Sequence, residues 1–340
     1  MKARTILSLA VLLSLVAAVP TLAQGPKDTE KEAYQPPLYP ALPLGVPEVE
    51  PNDTAATATA LTGPINEADG SITPAGDVDW WMMGGAAVSD LVFAFVDTSP
   101  SSLSTDSQLN VYANDTTTLI EFDDDDGPGL SSVVAGAVVP QAGNVYYRIN
   151  EYNDDGEITP YLMFVTQLDP ATDSAAETEP NDSAATATPI TAVMMTGQIV
   201  STVAADVDYY SFYAPAGRNV AVSMDDDPED NGNLFDSTLE ILDTDGSTVL
   251  ASGDNNSGNA GNAAGGITIP ADGTYYVRVA DGELGDGDTT YRFVVHYHAD
   301  PTAVQVADFG AASAARWPVA ALGLALVAGV GLVVVRRRRE

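Results

Sequence analysis

The acidic residues with the most regular spacing in this 340-residue chain lie in a motif that occurs twice. Glu48 to Thr59 reads EVEPNDTAATAT, and Glu177 to Thr188 reads ETEPNDSAATAT. An Asp-Val-Asp triplet follows each motif, at Asp77 to Asp79 and at Asp206 to Asp208. Calcium takes six to eight oxygen ligands, and alternating acids on extended backbone place carboxylates on one side. Two acidic segments that are distant in sequence repel each other unless a cation lies between them. The pattern predicts a cation site, with a simple cap and turn as the alternative.

The repeat itself predicts the domain organisation. The two copies start about 130 residues apart, which is longer than the roughly 20–50 residues of a solenoid unit. Later matches keep this spacing, such as Pro140 to Gly143 with Pro270 to Gly273. We therefore expect two complete copies of one module, at residues 47–168 and 176–299, joined by a linker at 169–175.

Short runs rich in β-branched and aromatic residues recur in both copies, and Gly, Asn, Asp and Pro separate them. This pattern predicts an all-β chain made of two tandem jelly-roll-like antiparallel β-sandwiches. The paired strands are predicted at 91–96 and 219–224, 109–112 and 239–242, 145–149 and 275–279, and 161–165 and 291–295.

The two ends of the chain predict export and anchoring. Residues 1–23 have the order of a signal peptide, with Lys2 and Arg4, an apolar run, and a small-residue cleavage site at Ala23; a buried helix is the alternative. A Pro-rich linker follows at 24–46. After a linker at 300–316, residues 317–335 are apolar and long enough for a transmembrane helix. Four arginines in the tail at 336–340 place that end in the cytoplasm, so both modules would be extracellular on a single-pass cell-membrane protein; later processing of the span stays open.

Composition excludes several classes of function. The net charge of −35 opposes binding to nucleic acid, although surface acid also serves solubility. The absence of cysteine excludes catalytic thiols, zinc–thiolate sites and iron–sulfur clusters. The acidic loops at 123–127, 225–233 and 281–288 lack the order of an EF-hand, and we expect solvated turns there.

The two histidines, His296 and His298, fall on the last predicted strand. A period of two places Tyr291, Phe293, Val295 and Tyr297 on the core face and Arg292 with both histidines on the other face. Two histidines at i and i+2 could hold a transition metal, but no third ligand is evident, so we expect both histidines to be solvated. The chain shows no nucleophile elbow, zincin motif or phosphate loop, so no catalytic residue and no enzymatic activity are predicted.

The motif Glu-x-Glu-Pro-Asn-Asp, followed by Asp-Val-Asp and an aromatic pair, resembles the bacterial pre-peptidase C-terminal (PPC) domain family. Asp236 to Ile241 and Gly273 to Val279 agree with this resemblance, which covers roughly 250 residues in two copies. It implies a β-sandwich that accompanies secreted enzymes or stands alone on cell surfaces. The collagen-binding domains of clostridial collagenases are similar and bind calcium through this motif. The resemblance therefore implies one Ca²⁺ per module, with these ligands: Glu48, Glu50, Asn52, Asp53, Asp77 and Asp79 in the first copy, and Glu177, Glu179, Asn181, Asp182, Asp206 and Asp208 in the second.

In the first copy Trp80-Trp81 replaces Tyr209-Tyr210 of the second, which is expected to change the packing behind the site. We expect a non-catalytic cell-surface protein whose calcium-stabilised modules bind an extracellular protein or polysaccharide. A structural stalk or envelope spacer, and an accessory partner of a separately encoded secreted peptidase, are the alternatives. The sequence leaves the oligomeric state open.

Overall fold

A computed structural model of the protein describes residues 45–62, 65–200, 206–229, 236–254, 261–281 and 289–297. All regular elements among these residues are β-strands, which confirms the all-β prediction. They include no helix long and apolar enough to cross a membrane. The predicted signal peptide, the C-terminal span and its basic tail lie outside the described residues.

Each module is built from ten strands that follow the same order along the chain. The strands of module 1 are β1 Val46–Pro47, β2 Thr59–Leu61, β3 Ile65–Ile72, β4 Asp79–Ala86, β5 Leu91–Asp97, β6 Ser107–Tyr112, β7 Leu119–Asp123, β8 Ser132–Val138, β9 Gly143–Glu151 and β10 Ile158–Leu168. Those of module 2 are β11 Ser174–Ala176, β12 Thr188–Pro189, β13 Met194–Ile199, β14 Val207–Ala214, β15 Asn219–Asp225, β16 Ser237–Leu242, β17 Val249–Asp254, β18 Gly261–Thr268, β19 Gly273–Asp281 and β20 Thr289–Tyr297. All eight strands predicted from the repeat are present.

The strands form four five-stranded sheets, two in each module. Module 1 has an inner sheet, β1-β3-β10-β5-β8, and an outer sheet, β2-β4-β9-β6-β7. The corresponding sheets of module 2 are β11-β13-β20-β15-β18 and β12-β14-β19-β16-β17. Pairing is antiparallel except at one edge of each sheet, where the short first strand runs parallel to its neighbour. In each copy one of these short edge strands comes just before the acidic motif and the other begins at its last residue.

Each module has its own apolar core between its two sheets. In module 1, Trp81 and Tyr147 of the outer sheet pack with Tyr161 and Met163 of the inner sheet. In module 2, Tyr210 and Tyr275 pack with Tyr291 and Phe293 in the same way. The alternation of buried and half-buried residues along β4, β6, β14 and β16 follows from a sheet with one face on a core.

A third apolar cluster joins the two modules through their inner sheets. Phe93, Phe95 and Phe164 of module 1 pack against Ala221 and Val294 of module 2. The strands at this junction, β5 and β15, are buried along their whole length because they have a core on each face. The molecule is therefore a four-layer stack of sheets, in which the inner sheets are shielded from solvent.

The stacking corrects the prediction for the last strand. Tyr291, Phe293 and Val295 do face the core of module 2, but the opposite face lies on module 1. His296 is fully buried there, and Arg292 is half-buried with a hydrogen bond of 3.1 Å to the Gly136 carbonyl of module 1. The prediction of solvated side chains was wrong because a period of two identifies the second face without showing what covers it. His298 lies outside the described residues.

Candidate metal centres

The acidic motif of module 1 gathers three carboxylates at one end of the sandwich. Glu48 and Glu50 follow the edge strand β1, and Asp79 is the first residue of β4. One oxygen from each of the three carboxylates lies within 4.8 Å of the others. The parallel edges of the two sheets bring together segments that are about 30 residues apart in sequence.

Hydrogen bonds from the backbone and from buried side chains orient these carboxylates. The Ser71 amide donates to Glu48 Oε2 at 3.0 Å, and the Asn52 amide donates to Glu50 Oε2 at 2.9 Å. On the core side of the site, the hydroxyl of the buried Tyr161 donates to Asp79 Oδ2 at 2.6 Å. Fixed carboxylates lose less conformational freedom when they coordinate an ion, so this arrangement favours binding.

Asn52, two residues after Glu50, has a buried side chain whose polar atoms are unpaired in the part of the chain that the structure describes. Its side chain is fully buried, yet neither its Oδ1 nor its Nδ2 has a hydrogen-bond partner among the described residues. The second oxygen of Asp79, Oδ1, is buried without a partner in the same way. Buried polar groups are normally satisfied, and each one left unpaired costs about 1–3 kcal/mol. A cation bound by these oxygens would remove that cost.

Module 2 repeats the cluster with Glu177, Glu179 and Asp208, again with one oxygen of each within 4.8 Å of the others. The Gln198 amide donates to Glu177 Oε1 at 2.7 Å, and the Asn181 amide donates to Glu179 Oε2 at 2.9 Å. The site is therefore built twice by the same backbone contacts.

The amide group of Asn181 faces the carboxylates directly. One end of it lies 3.3 Å from Glu179 Oε2 and 3.0 Å from Asp208 Oδ1. With nitrogen at that end, the amide donates to both carboxylates, whereas with oxygen there it adds a further ligand for a cation.

The predicted difference in packing behind the two sites is present. In module 1, Trp81 Nε1 donates to the Tyr161 hydroxyl at 2.8 Å. In module 2 the equivalent residue, Tyr210, donates its own hydroxyl to Glu177 Oε2 at 2.8 Å and contacts the Tyr291 hydroxyl at 2.7 Å. Tyr291 also donates to Asp208. The second site therefore has one more hydroxyl on its carboxylates than the first.

A glycine in each inner sheet makes room for these tyrosines. A Cβ on Gly70 would lie 2.3 Å from the Tyr161 hydroxyl oxygen. A Cβ on Gly197 would lie 2.4 Å from the hydroxyl oxygens of both Tyr210 and Tyr291. Sequence reasoning missed these supporting residues, although Tyr161 and Tyr291 stand at equivalent positions of the repeated last strand.

The structure leaves the other predicted ligands outside the three-carboxylate clusters. Asp53 and Asp182 are exposed at the turn that follows the motif. Asp77 accepts hydrogen bonds from the Thr73 and Val78 amides at 3.1 and 2.9 Å, and Asp206 accepts one from the Val200 amide. Their carboxylates stabilise turns beside the sites and add negative charge to them.

Burial and like charge make these sites costly in the absence of a cation. Burial raises the pKa of Asp79 to about 9, and the neighbouring charge of Glu48 adds to the effect. Burial likewise raises the pKa of Asp208 to about 9, again with a contribution from the charge of Glu177. At neutral pH each Asp therefore holds a proton, and a divalent ion would take the place of that proton.

The remaining acidic loops differ from the expected solvated turns. Asp123, Asp225 and Asp226 are buried. Asp123 accepts from the Val133 amide at 2.7 Å, and Asp225 pairs with Arg292 at 2.5 Å. The expectation was wrong for these positions because turn composition does not show which acids fold back onto the sheets. Residues 230–235, 255–260 and 282–288 lie outside the described residues.

Parts of the chain are similar to a known domain family and to solved structures. Residues 206–281 match the family model of the bacterial pre-peptidase C-terminal domain. No curated protein matches the sequence. Among solved structures, the chain is similar to the pre-peptidase C-terminal domain of a Bacillus anthracis collagenase, with 17% identity, a TM-score of 0.25, and coverage of 36% of this chain and 95% of that one. It is also similar to PliG of Aeromonas hydrophila, a periplasmic inhibitor of g-type lysozyme, with 15% identity, a TM-score of 0.25, and coverage of 33% and 96%. Within the second module, residues 206–281 are therefore similar to the pre-peptidase C-terminal domain, and the first module repeats the strand order and acidic motif of the second.

Proposed function

We propose that this is a non-catalytic surface protein whose two modules each bind one Ca²⁺ and together present a rigid surface to an extracellular protein or polysaccharide. The observation that carries the calcium proposal is the duplicated cluster of three carboxylate oxygens beside a buried asparagine. The sequence features of the two ends support export and anchoring by one C-terminal helix.

The chemistry of the donors favours calcium over other metals. The cluster offers carboxylate and amide oxygens, which are the ligands of hard cations, and it includes neither histidine nor cysteine. Magnesium demands a more nearly octahedral shell and keeps more of its water. A cluster built on two loop glutamates and one strand aspartate has no octahedral symmetry, and it suits the adaptable coordination of calcium better.

The surroundings of His296 support a function without catalysis. This histidine is enclosed between the modules, where its ring nitrogens lie 2.9 Å from Thr166 Oγ1 and from Ser223 Oγ. A histidine that serves as a general base must reach the substrate. His296 therefore acts as part of the junction and not as part of a reaction centre.

A thermal melt of the full-length protein in detergent, with and without a chelator, tests the calcium proposal. A ligand that binds only the folded state adds about 2.7 kcal/mol at 100 times its dissociation constant, which raises the midpoint by about 5–10 °C for a unit of this size. Magnesium at the same concentration serves as the control and is expected to give a smaller rise. A melting curve that neither calcium nor the chelator moves would remove calcium from the proposal.

A further inference from the structure

The outer sheet of module 1 carries an aromatic patch on its exposed face, formed by Trp80, Tyr112 and Tyr146. The rings of Trp80 and Tyr112 stack with centroids 5.3 Å apart and planes 24° apart. Tyr146 meets Trp80 edge-on at 6.4 Å. All three residues are half-buried, and they come from three neighbouring strands, β4, β9 and β6.

Apolar and hydrogen-bonding side chains extend this patch along the sheet. Phe122, on the next strand β7, is 56% exposed and pairs in register with Asn110. The Nδ2 of Asn110 has no hydrogen-bond partner among the described residues. Arg148 lies between Trp80 and Asn110 in register, and its guanidinium is held by the Asn150 side chain at 2.6 Å. The face therefore combines ring surfaces with one fixed donor group, the Arg148 guanidinium.

The charge of this face differs from that of the whole chain. The sequence has 48 acidic residues and a net charge of −35. Strands β4, β9 and β6 are described in full, and their outward positions carry no Asp or Glu. The one charged side chain on the outward positions of these three fully described strands is Arg148. In such an acidic protein an aromatic face without carboxylates is a departure, and exposed apolar patches can mark binding surfaces.

Module 2 provides an internal comparison, because its outer sheet has the same strand order and register. Tyr209 stands at the position of Trp80, Leu242 at that of Tyr112, and Glu240 at that of Asn110. Glu240 forms an ion pair of 2.9 Å with Arg278, which stands at the position of Arg148. Module 2 has the same fold without this aromatic stack. The needs of the fold therefore do not explain why module 1 has the stack.

We propose that the aromatic patch of module 1 binds an uncharged polysaccharide chain; this inference deepens the proposed function and rests on it. The C–H faces of sugar rings pack on aromatic rings, and sugar hydroxyls can accept from the half-buried Arg148 guanidinium. A polyanionic polymer would be repelled by the surrounding protein, while a basic partner would find no carboxylate on the outward positions of β4, β9 and β6. A neutral chain of sugar rings is not repelled by the acidic protein and needs no carboxylate as a partner.

The dimensions of the patch fit a short stretch of such a chain. Four neighbouring strands, from β4 to β7, span about 14 Å at a spacing of about 4.8 Å. This length accommodates a few sugar rings laid across the strands. The binding is expected to be modest for each patch and to increase when several copies of the anchored protein contact one polymer.

Affinity electrophoresis of the full-length protein in detergent tests this inference. The gels contain hydroxyethylcellulose or soluble starch as neutral polysaccharides, alginate as a polyanion, or gelatin as a polypeptide. We expect retardation by at least one neutral polysaccharide. Trp80→Ala and Tyr112→Ala are each expected to weaken it at least about tenfold, as for aromatic residues at the centre of other interfaces. Tyr209→Ala, at the equivalent position of module 2, is the matched control and is expected to leave it unchanged.

The calcium-dependent melt of each variant shows whether it remains folded, and Tyr112→Ala keeps the test valid if Trp80→Ala does not fold. The inference is overturned if no neutral polysaccharide retards the protein, if both substitutions leave the retardation unchanged, or if alginate or gelatin alone is bound. Each of those results leaves the calcium-dependent melt intact, so a failure of this inference is distinguishable from a failure of the proposed calcium sites.

Discussion

Replacing His296 by glutamine is expected to remove a loss of stability that the wild-type two-module unit undergoes as the pH falls. The ring is fully buried, and its nitrogens meet only the hydroxyls of Thr166 and Ser223 at 2.9 Å. Burial lowers the pKa of His296 from 6.5 to about 3. The neutral ring is therefore kept in the folded protein while the unfolded chain takes up a proton below pH 6.5. Stability is fully present above that pH and is lost as the pH falls towards 3.

The magnitude follows from the two pKa values. Between pH 6.5 and pH 4.5 the folded ring stays neutral and the unfolded ring becomes charged, which costs the folded state about 2.3 kcal/mol at 1.36 kcal/mol per pKa unit. Glutamine does not titrate, so the variant lacks this loss.

Urea unfolding in the presence of a chelator, at pH 6.5 and pH 4.5, measures the effect as a difference between two proteins. Burial raises the pKa of Glu67 to about 7, and those of Asp97 and Asp225 to about 6. These carboxyls favour the folded state as the pH falls, but they are present in both proteins and cancel. His298→Gln, at the position predicted to be solvated, is the control. If the stabilities of the wild type and His296→Gln run parallel between the two pH values, the reasoning about the junction is refuted.

Three further predictions concern the junction and the sites. Phe164→Ala is expected to lower the free energy of unfolding in urea by about 3–5 kcal/mol, because Phe164 is 1% exposed in the cluster that joins the modules. The control Phe122→Ala, at a 56% exposed position, is expected to lower it by less than about 1 kcal/mol. Equal losses of stability in the two variants would contradict a packed junction. Gly70→Ala is expected to displace Tyr161 from Asp79 and to weaken the calcium-induced rise in melting temperature, and an unchanged rise would show that the tyrosine does not support the site. With a chelator at pH 7, Asp79→Asn is expected to raise the melting temperature, because the amide replaces a buried carboxyl that must take up a proton when the protein folds. A lower melting temperature in the variant would show that burying the Asp79 carboxyl does not destabilise the folded protein.

Much of the fold was predictable from the sequence because the repeat showed four of the strands of each module twice. Val145 to Ile149 and Tyr275 to Val279 occupy equivalent places in the two copies, and both were assigned as strands. The packing of the modules on each other was not predicted. Its signal was present in Leu91 to Val96, where an unbroken apolar run indicates a strand buried on both faces.

The candidate sites were predictable in part for a related reason. The structure brings together Glu48, Glu50 and Asp79, three of the six ligands predicted for the first copy, and their role in binding calcium stays a prediction. The roles of Asp77 and Asp53 could not be separated from theirs, because residue type does not show whether a carboxylate turns towards the site or towards a backbone amide. The contacts that each carboxylate makes in the folded protein decide which way it turns.

Equilibrium dialysis with radioactive calcium tests the central claim of two equivalent ion sites most directly. The full-length protein is expected to bind two ions with similar affinity. Asp79→Asn and Asp208→Asn are each expected to leave one ion bound, and the double variant is expected to leave none. Failure of the wild-type protein to bind calcium above the level of the double variant would contradict the account.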